Sequence, residues 1–223
     1  PAEKRSWENS LVALSNVLNH PEMPNKIGVA VEFRLPKTSK RIDVILSGLC
    51  EAGLPSVVII ELKQWSKAAK TQLDGIVNTF VGGANRNVSH PSYQAWSYAQ
   101  LIRDFAKVVE DASIKISACA YLHNMASRGD LCDIHYERYT SQAPIFTGTE
   151  GYQLQQFILS KISNGDNCNA IDLLKNSEVS PSKSLADALK SMLEEKDEFI
   201  LLDEQKVVFE QCLMMSKFSS KKQ

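Results

Sequence analysis

Apolar residues form three short runs in the first third of the chain, at 28–35, 41–46 and 57–63. Each run is rich in β-branched residues and is bounded by Pro, Gly or polar turn residues, a pattern typical of β-strands. The first two runs predict a hairpin across a turn at 36–40. The third run is apolar at consecutive positions, which predicts a central strand buried on both faces.

Apolar residues at helical spacing flank these strands. Ser6 is the predicted N-cap of a first helix, and Pro91, favoured in a first turn, predicts a second helix to about residue 110. The apolar face of the first helix consists of Trp7, Leu11, Leu14, Val17 and Leu18. A further strand is predicted at 115–122, whereas the polar residues 64–90 predict irregular structure.

The later part of the chain predicts a short strand around 134–136 and then mainly helices. These helices are expected near 152–161, 170–175 and 184–195. The order helix, three strands, helix, strand predicts an α/β core in residues 1–145. Residues 146–223 are predicted to form a helical extension.

Composition narrows the class of protein. The 223 residues are 43% hydrophobic and 23% charged, which is typical of a soluble globular protein. A net charge of -1 excludes a protein-wide basic field but leaves room for a local basic groove. The five cysteines are widely spaced without a CxxC pair, which favours reduced thiols in the cytoplasm over zinc or disulfides. No apolar run is long enough to predict a membrane span.

The candidate chemistry lies at the end of the third strand. Glu61 and Lys63 are two positions apart, so they project from the same face of the strand. Asp43 lies on the predicted neighbouring strand and would come level with Glu61. Two adjacent carboxylates repel each other unless a cation lies between them, and Mg²⁺ prefers oxygen ligands. Alternatively, Glu61 and Lys63 form an ion pair on a solvated face and Asp43 is a surface acid.

Gln94 and Tyr98 are four residues apart on the second predicted helix and therefore share one face. That face continues into the apolar stripe of the helix, so both polar ends are expected to point inward. Alternatively, Tyr98 is a core residue with its hydroxyl satisfied, and Gln94 caps the edge of the core.

Together, Asp43, Glu61-x-Lys63 and Gln94-xxx-Tyr98 resemble the PD-(D/E)XK nuclease superfamily, in its RecB-like branch with the QxxxY motif. The resemblance covers about residues 6–125. It implies a restriction-endonuclease-like core with a mixed sheet flanked by helices, dependence on Mg²⁺ or Mn²⁺, and hydrolysis of DNA phosphodiesters.

The resemblance also implies roles for individual residues. Asp43 and Glu61 would be metal ligands, with the carbonyl of Leu62 as an extra ligand. Lys63 would be the catalytic lysine, which orients or deprotonates an attacking water and offsets charge on the phosphate. Gln94 and Tyr98 would line the site and position the DNA backbone. The chain departs from the family pattern in one place, since Ile42 rather than Pro precedes Asp43.

Other residues have a functional and a structural interpretation. Glu8 matches a position where many members carry another acid near the metal, but it also suits the first turn of a helix. His90 would contact phosphate or simply cap the second helix. Arg34, Lys40 and Arg41 flank Asp43 and would hold DNA phosphates, although a solvated hairpin accounts better for Arg34 and Lys40.

Residues 199–209 resemble the segment before the Walker A loop of superfamily 1 helicases, in which a glutamine reads the adenine. Gln205 would match that glutamine, although no GxxxxGK[ST] motif occurs in the chain. We therefore expect the nuclease module of a larger protein, with a helicase-like domain following it. The alternative is an ordinary C-terminal helix.

The sequence thus predicts a metal-dependent DNA nuclease. One alternative is a catalytically inactive module that keeps the nuclease fold and binds nucleic acid or a protein partner. Another is a nuclease that acts on RNA, because metal-assisted hydrolysis does not require or exclude a 2′-hydroxyl.

Overall fold

The protein has an α/β fold with a five-stranded mixed sheet and a separate three-stranded antiparallel sheet. The structure is a computed structural model and describes residues 2–35, 40–180 and 200–219. The strands are β1 Gly28–Arg34, β2 Arg41–Leu49, β3 Pro55–Leu62, β4 Ala68–Lys70, β5 Ile76–Val81, β6 Ala84–Ser89, β7 Lys115–Leu122 and β8 Ile145–Thr147. The helices are α1 Ala2–Leu18, α2 Pro91–Phe105, α3 Lys107–Asp111, α4 Glu137–Thr140, α5 Gly151–Leu159, α6 Ala170–Lys175 and α7 Glu204–Ser219.

The main sheet has the strand order β1-β2-β3-β7-β8. β1, β2 and β3 are antiparallel neighbours, whereas β7 runs parallel to β3 and β8 runs parallel to β7. Every residue of β3 from Ser56 to Leu62 is buried. The prediction of a buried central strand is therefore confirmed.

The two faces of the main sheet pack against different helices. Val44 and Ile60 contribute to a cluster with Leu14 of α1 and Leu154 of α5. On the opposite face, Ile45 and Ile59 join a second cluster with Ala95, Tyr98 and Ile102 of α2. Because strand residues alternate between faces, Asp43, Glu61 and Lys63 belong to the α2 side.

Residues 64–90 form the second sheet, so the prediction of irregular structure there is wrong. β5 and β6 form a hairpin across Gly82 and Gly83, which both have positive φ angles of 61° and 82°. A two-residue turn with positive φ at both positions is typical of tight hairpins, and Gly adopts it without steric cost. The strands are polar because much of this sheet is exposed, so their apolar alternation is weak.

Two further elements differ from the prediction. The first helix begins at Ala2 rather than after a cap at Ser6, since Ala, Glu, Lys and Arg at 2–5 are good helix formers. Residues 134–136 form a 3-10 turn rather than a strand, started by Asp133, whose side chain accepts a hydrogen bond from the His135 N–H.

The second predicted helix is interrupted. α2 ends at Phe105 because Ala106 adopts an extended backbone and bridges to Val179, and α3 follows. That tertiary contact is not visible in the local pattern. The predicted division at residue 145 falls at β8. Residues 36–39 of the predicted turn and the predicted helix at 184–195 lie outside the described residues.

Candidate active site

Asp43 and Glu61 lie side by side at one end of the central strands. Val44 pairs with Ile60 in the antiparallel register of β2 and β3, and continuing that register by one residue puts Asp43 opposite Glu61. Asp43 Oδ2 accepts a hydrogen bond from the Leu62 N–H at 2.8 Å, which fixes the Asp43 carboxylate against β3. The predicted pairing of two carboxylates on neighbouring strands is therefore present.

Glu61 is a buried acid with only half of its carboxylate engaged. Its side chain is 2% exposed, and Oε1 lies 2.6 Å from Lys63 Nζ. Its other oxygen, Oε2, is buried and has no hydrogen-bond partner within the described part of the chain. A buried polar atom without a partner costs about 1–3 kcal/mol, and more if it is charged. This cost favours a positive ligand beside Oε2.

The electrostatics of Glu61 and Lys63 are strongly coupled. Burial, and after it the Asp43 carboxylate, raise the pKa of Glu61 to about 8 against the opposing effect of the Lys63 ammonium. Burial also disfavours the charge on Lys63, but attraction to Glu61 and Asp43 outweighs burial and raises the pKa of Lys63 above its usual value. Lys63 therefore keeps its proton at neutral pH and is a cation at this end of the sheet.

α2 brings Gln94 and Tyr98 to the same site. Gln94 Nε2 lies 3.2 Å from the Tyr98 hydroxyl, which in turn donates a hydrogen bond to Asp203 Oδ2 at 2.6 Å. Burial, with the charges of Glu61 and Asp203, raises the pKa of Tyr98 above its usual value, so the hydroxyl remains a donor. Tyr98 is buried as predicted, whereas Gln94 is only half-buried.

Asp203 is a site residue that the sequence reasoning missed. It lies just before α7 and its carboxylate Oδ2 is 3.0 Å from Lys40 Nζ, while Lys40 also pairs with Glu204. Oδ1 of Asp203 is buried without a hydrogen-bond partner among the described residues. Its only local signal is an acidic pair after the apolar run 199–202, which does not indicate proximity to Glu61.

The residues present suit a hydrated divalent cation. Within residues 2–35, 40–180 and 200–219, no three His, Cys, Asp or Glu side chains converge as a complete metal-binding group. Mg²⁺ does not require such a group, since it commonly binds through one or two carboxylates and retains several waters. Glu61, whose Oε2 has no partner among the described residues, and Asp43 on the neighbouring strand provide two such carboxylates. The carbonyl of Leu62 stays a predicted ligand.

The structure leaves Glu8 and Arg41 at exposed positions. Glu8 lies on α1, which packs on the face of the sheet opposite to the one that carries Glu61. Ser10 Oγ is 2.9 Å from His123 Nε2, which places this turn of α1 near the C-terminal end of β7. Arg41 Nη1 lies 2.9 Å from Glu32 Oε2. Metal binding by Glu8 and phosphate binding by Arg41 stay predictions.

His90 caps α2 from a fully buried position. Its Nδ1 accepts a hydrogen bond from the Ser92 N–H at 3.2 Å, and its Nε2 lies 3.0 Å from the carbonyl oxygen of Leu131. Burial lowers the pKa of His90 to about 4. Because both ring nitrogens are engaged, the structure shows the capping role and offers no ring nitrogen to a phosphate.

An open pocket with a volume of about 360 Å³ adjoins these residues. Lys63, Gln94 and Asp203 line it, together with residues of the second sheet, of the segment before that sheet and of the first turns of α7. The other lining residues are Trp65, Val81, Asn87, Val88, Ser89, Glu204, Val207 and Val208. The lysine at the candidate site is therefore reached from solvent through this pocket.

Comparisons with protein-family models, with curated proteins and with solved structures gave no match to this chain. Among the helices that the structure describes, none is long and apolar enough to cross a membrane. The site must therefore be interpreted from its own chemistry.

Proposed function

We propose that this protein is a Mg²⁺- or Mn²⁺-dependent DNA nuclease that hydrolyses phosphodiester bonds. The observation that carries the proposal is Oε2 of Glu61, which is buried and has no hydrogen-bond partner among the described residues. Oε1 of the same carboxylate pairs with Lys63, and Asp43 lies on the neighbouring strand. A structural ion pair would not explain why one oxygen of a buried carboxylate is left without a donor. A cation bound between the two acids would explain it.

Each residue of the candidate site has its own role in hydrolysis. Asp43 and Glu61 hold the divalent cation, which when bound supplies Lewis-acid activation of water and offsets charge on the phosphate. The Leu62 N–H orients Asp43. Lys63 offsets the negative charge that develops on the phosphate. Tyr98 and Gln94, which are hydrogen-bonded to each other, position the DNA strand beside the site.

The arrangement of elements supports a restriction-endonuclease-like core. α1, the three strands β1 to β3, α2 and β7 follow in the order that the resemblance to PD-(D/E)XK nucleases implies. Asp43 and Glu61 lie on the second and third of those strands, and Gln94 and Tyr98 lie on the helix that packs over them.

We also propose that this nuclease is a module of a larger protein with a helicase-like domain. The support is the resemblance of residues 199–209 to the segment before a Walker A loop. Gln205 lies at the start of α7, where its Oε1 accepts a hydrogen bond from the Leu202 N–H at 3.1 Å. That contact also suits an ordinary helix start, so nucleotide reading by Gln205 depends on the resemblance alone.

A cleavage assay tests the proposal. Linear, circular and single-stranded DNA, and RNA, are incubated with Mn²⁺ and either the wild-type protein or Lys63→Met. We expect the wild type to cleave DNA and Lys63→Met to be at least about 100-fold slower, because it lacks the cation beside the phosphate.

Lys67→Met is the matched control, since Lys67 is an exposed lysine that follows the same strand. We expect it to retain wild-type activity. Cleavage of RNA alone would replace DNA as the substrate. DNA binding without Mn²⁺ binding or cleavage would instead support the inactive binding module.

A further inference from the structure

We propose that Asp203 is a third carboxylate of the candidate metal site and acts on the bound cation through its water shell. This inference rests on the proposed function, and it adds to the site a residue from the segment 200–203 that precedes α7. The segment is far along the chain from the motif residues Asp43 and Glu61 and lies outside the nuclease motifs. It falls within residues 199–209, where the helicase-like resemblance concerns Gln205 and gives Asp203 no role.

The hydrogen bonds of Asp203 repeat the pattern of Glu61. One oxygen of each carboxylate is held by protein donors, Oδ2 of Asp203 by Tyr98 and Lys40, and Oε1 of Glu61 by Lys63. The other oxygen of each, Oδ1 and Oε2, is buried without a partner among residues that the structure describes. Two oriented carboxylates with one free oxygen each are suited to a shared positive ligand.

Several contacts hold Asp203 in this position. The Tyr93 hydroxyl donates to the carbonyl oxygen of Leu201 at 2.5 Å, and Ser89 Oγ donates to the carbonyl oxygen of Asp203 at 3.1 Å. The backbone of Asp203 is in the left-handed region, with φ at 39°. Asp adopts this conformation more readily than most residues, but it still costs free energy that the surrounding contacts offset.

The charges of the site favour a further cation. The charges of Asp43 and Asp203 both raise the pKa of Glu61, and both also act on Lys63. Lys63 offsets part of the repulsion, while Lys40 is divided between Asp203 and Glu204. A divalent ion among the three carboxylates would remove the remaining repulsion.

The role is indirect because the three acids do not converge as a direct ligand set within the described residues. Mg²⁺ usually retains several waters, and carboxylates that bind those waters contribute to its affinity. Removal of such outer partners typically weakens metal binding by about 10- to 100-fold. Asp203 therefore acts as a positioning residue for the hydrated ion.

Calorimetric titration with Mn²⁺ in the absence of DNA tests the inference. Asp203→Asn removes the charge but keeps the shape and the tolerance for positive φ. We expect it to weaken Mn²⁺ binding by at least about 10-fold. Glu204→Gln is the matched control, because Glu204 also pairs with Lys40 but its side chain is 81% exposed. We expect its Mn²⁺ affinity to stay within about 2-fold of the wild type.

Each outcome either supports or overturns the inference. Equal Mn²⁺ affinity of Asp203→Asn and the wild type, or equal losses in Asp203→Asn and Glu204→Gln, would overturn it. Faster DNA cleavage by Asp203→Asn would also overturn it, since Asp203 would then occupy the place of a substrate phosphate. If the wild type binds no Mn²⁺, the proposed function fails together with the inference. If Glu61→Gln loses Mn²⁺ binding but Asp203→Asn keeps it, only the role of Asp203 is rejected.

Discussion

Glu61 combines near-complete burial, an ion pair with Lys63 and an oxygen without a hydrogen-bond donor among described residues. Burial alone would select an apolar side chain at this position, as it does at Ile59 and Ile60 of the same strand. A cation beside the carboxylate would offset the free-energy cost of removing its charge from water. At the scale of single residues, this conflict between burial and charge is the main sign of function.

Single residues also mark the limit of what the sequence could predict. The sequence predicts Glu61, Lys63, Gln94 and Tyr98 as site residues from fixed spacings within a strand or helix, and Asp43 from its place on the neighbouring strand. Asp203 was not found, because its distance from Glu61 depends on how the segment 200–203 docks through Tyr93 and Ser89. Local periodicity carries no information about such long-range contacts.

His90 gives a pH dependence of stability. Burial lowers its pKa in the fold from 6.5 to about 4. Between these values the unfolded chain binds a proton that the folded protein does not, so the free energy of unfolding falls as the pH decreases. The contribution is complete above pH 6.5 and is lost by about pH 4, with a total of about 3 kcal/mol.

Urea unfolding at pH 7.5 and pH 4.5 measures this effect. His90→Asn keeps a side-chain oxygen that can cap α2 but does not titrate. We expect the wild type to lose more stability than His90→Asn between the two pH values. Identical losses in both proteins would show that His90 does not titrate as its burial requires.

At the scale of elements, the pattern predicted β3 and β7 well because both are buried and strongly apolar. The strands β4, β5 and β6 were missed because their exposed faces are polar, and the Gly82-Gly83 turn was the only clear signal. The break at Ala106 was missed because segment 177–180 causes it from a distance. Elements that depend on tertiary pairing are therefore not predicted by the local pattern of apolar and polar residues.

α7 is attached in part by a network of charges, in which Lys206 and Glu210 are largely buried and Asp74 is partly exposed. Lys206 Nζ lies 2.6 Å from Asp74 Oδ2 and 2.9 Å from Glu210 Oε1, and Asp74 N–H donates to Glu210 Oε2 at 3.3 Å. Lys206 also lies 5.4 Å from the centre of the Tyr93 ring. This network fixes the start of α7 and hence the position of Asp203.

Lys206→Met should therefore destabilise the protein. It leaves Asp74 and the largely buried Glu210 without their cation, at a cost of about 2 kcal/mol. Lys217→Met, at an exposed position of the same helix, should change the free energy of unfolding by less than about 0.5 kcal/mol. Chemical unfolding of the three proteins measures both, and equal stabilities would contradict the role of the network.

At the scale of the whole molecule, the candidate site joins three parts of the chain. The main sheet supplies Asp43, Glu61 and Lys63, α2 supplies Gln94 and Tyr98, and the segment before α7 supplies Asp203. The second sheet and α7 form the pocket through which Lys63 is reached. The sequence pattern predicted the first two parts, whereas the third and the pocket depend on packing between distant segments.

Mn²⁺-dependent DNA cleavage by Glu61→Gln, compared with the wild type, tests whether Glu61 holds a cation that hydrolysis requires. The amide keeps the size of the side chain but lacks the charge that holds a divalent cation, and an unchanged unfolding midpoint would confirm that the fold is intact. We expect the wild type to cleave DNA only when Mn²⁺ or Mg²⁺ is added and Glu61→Gln to be inactive. Full metal-dependent cleavage by Glu61→Gln would contradict a metal site built on Glu61.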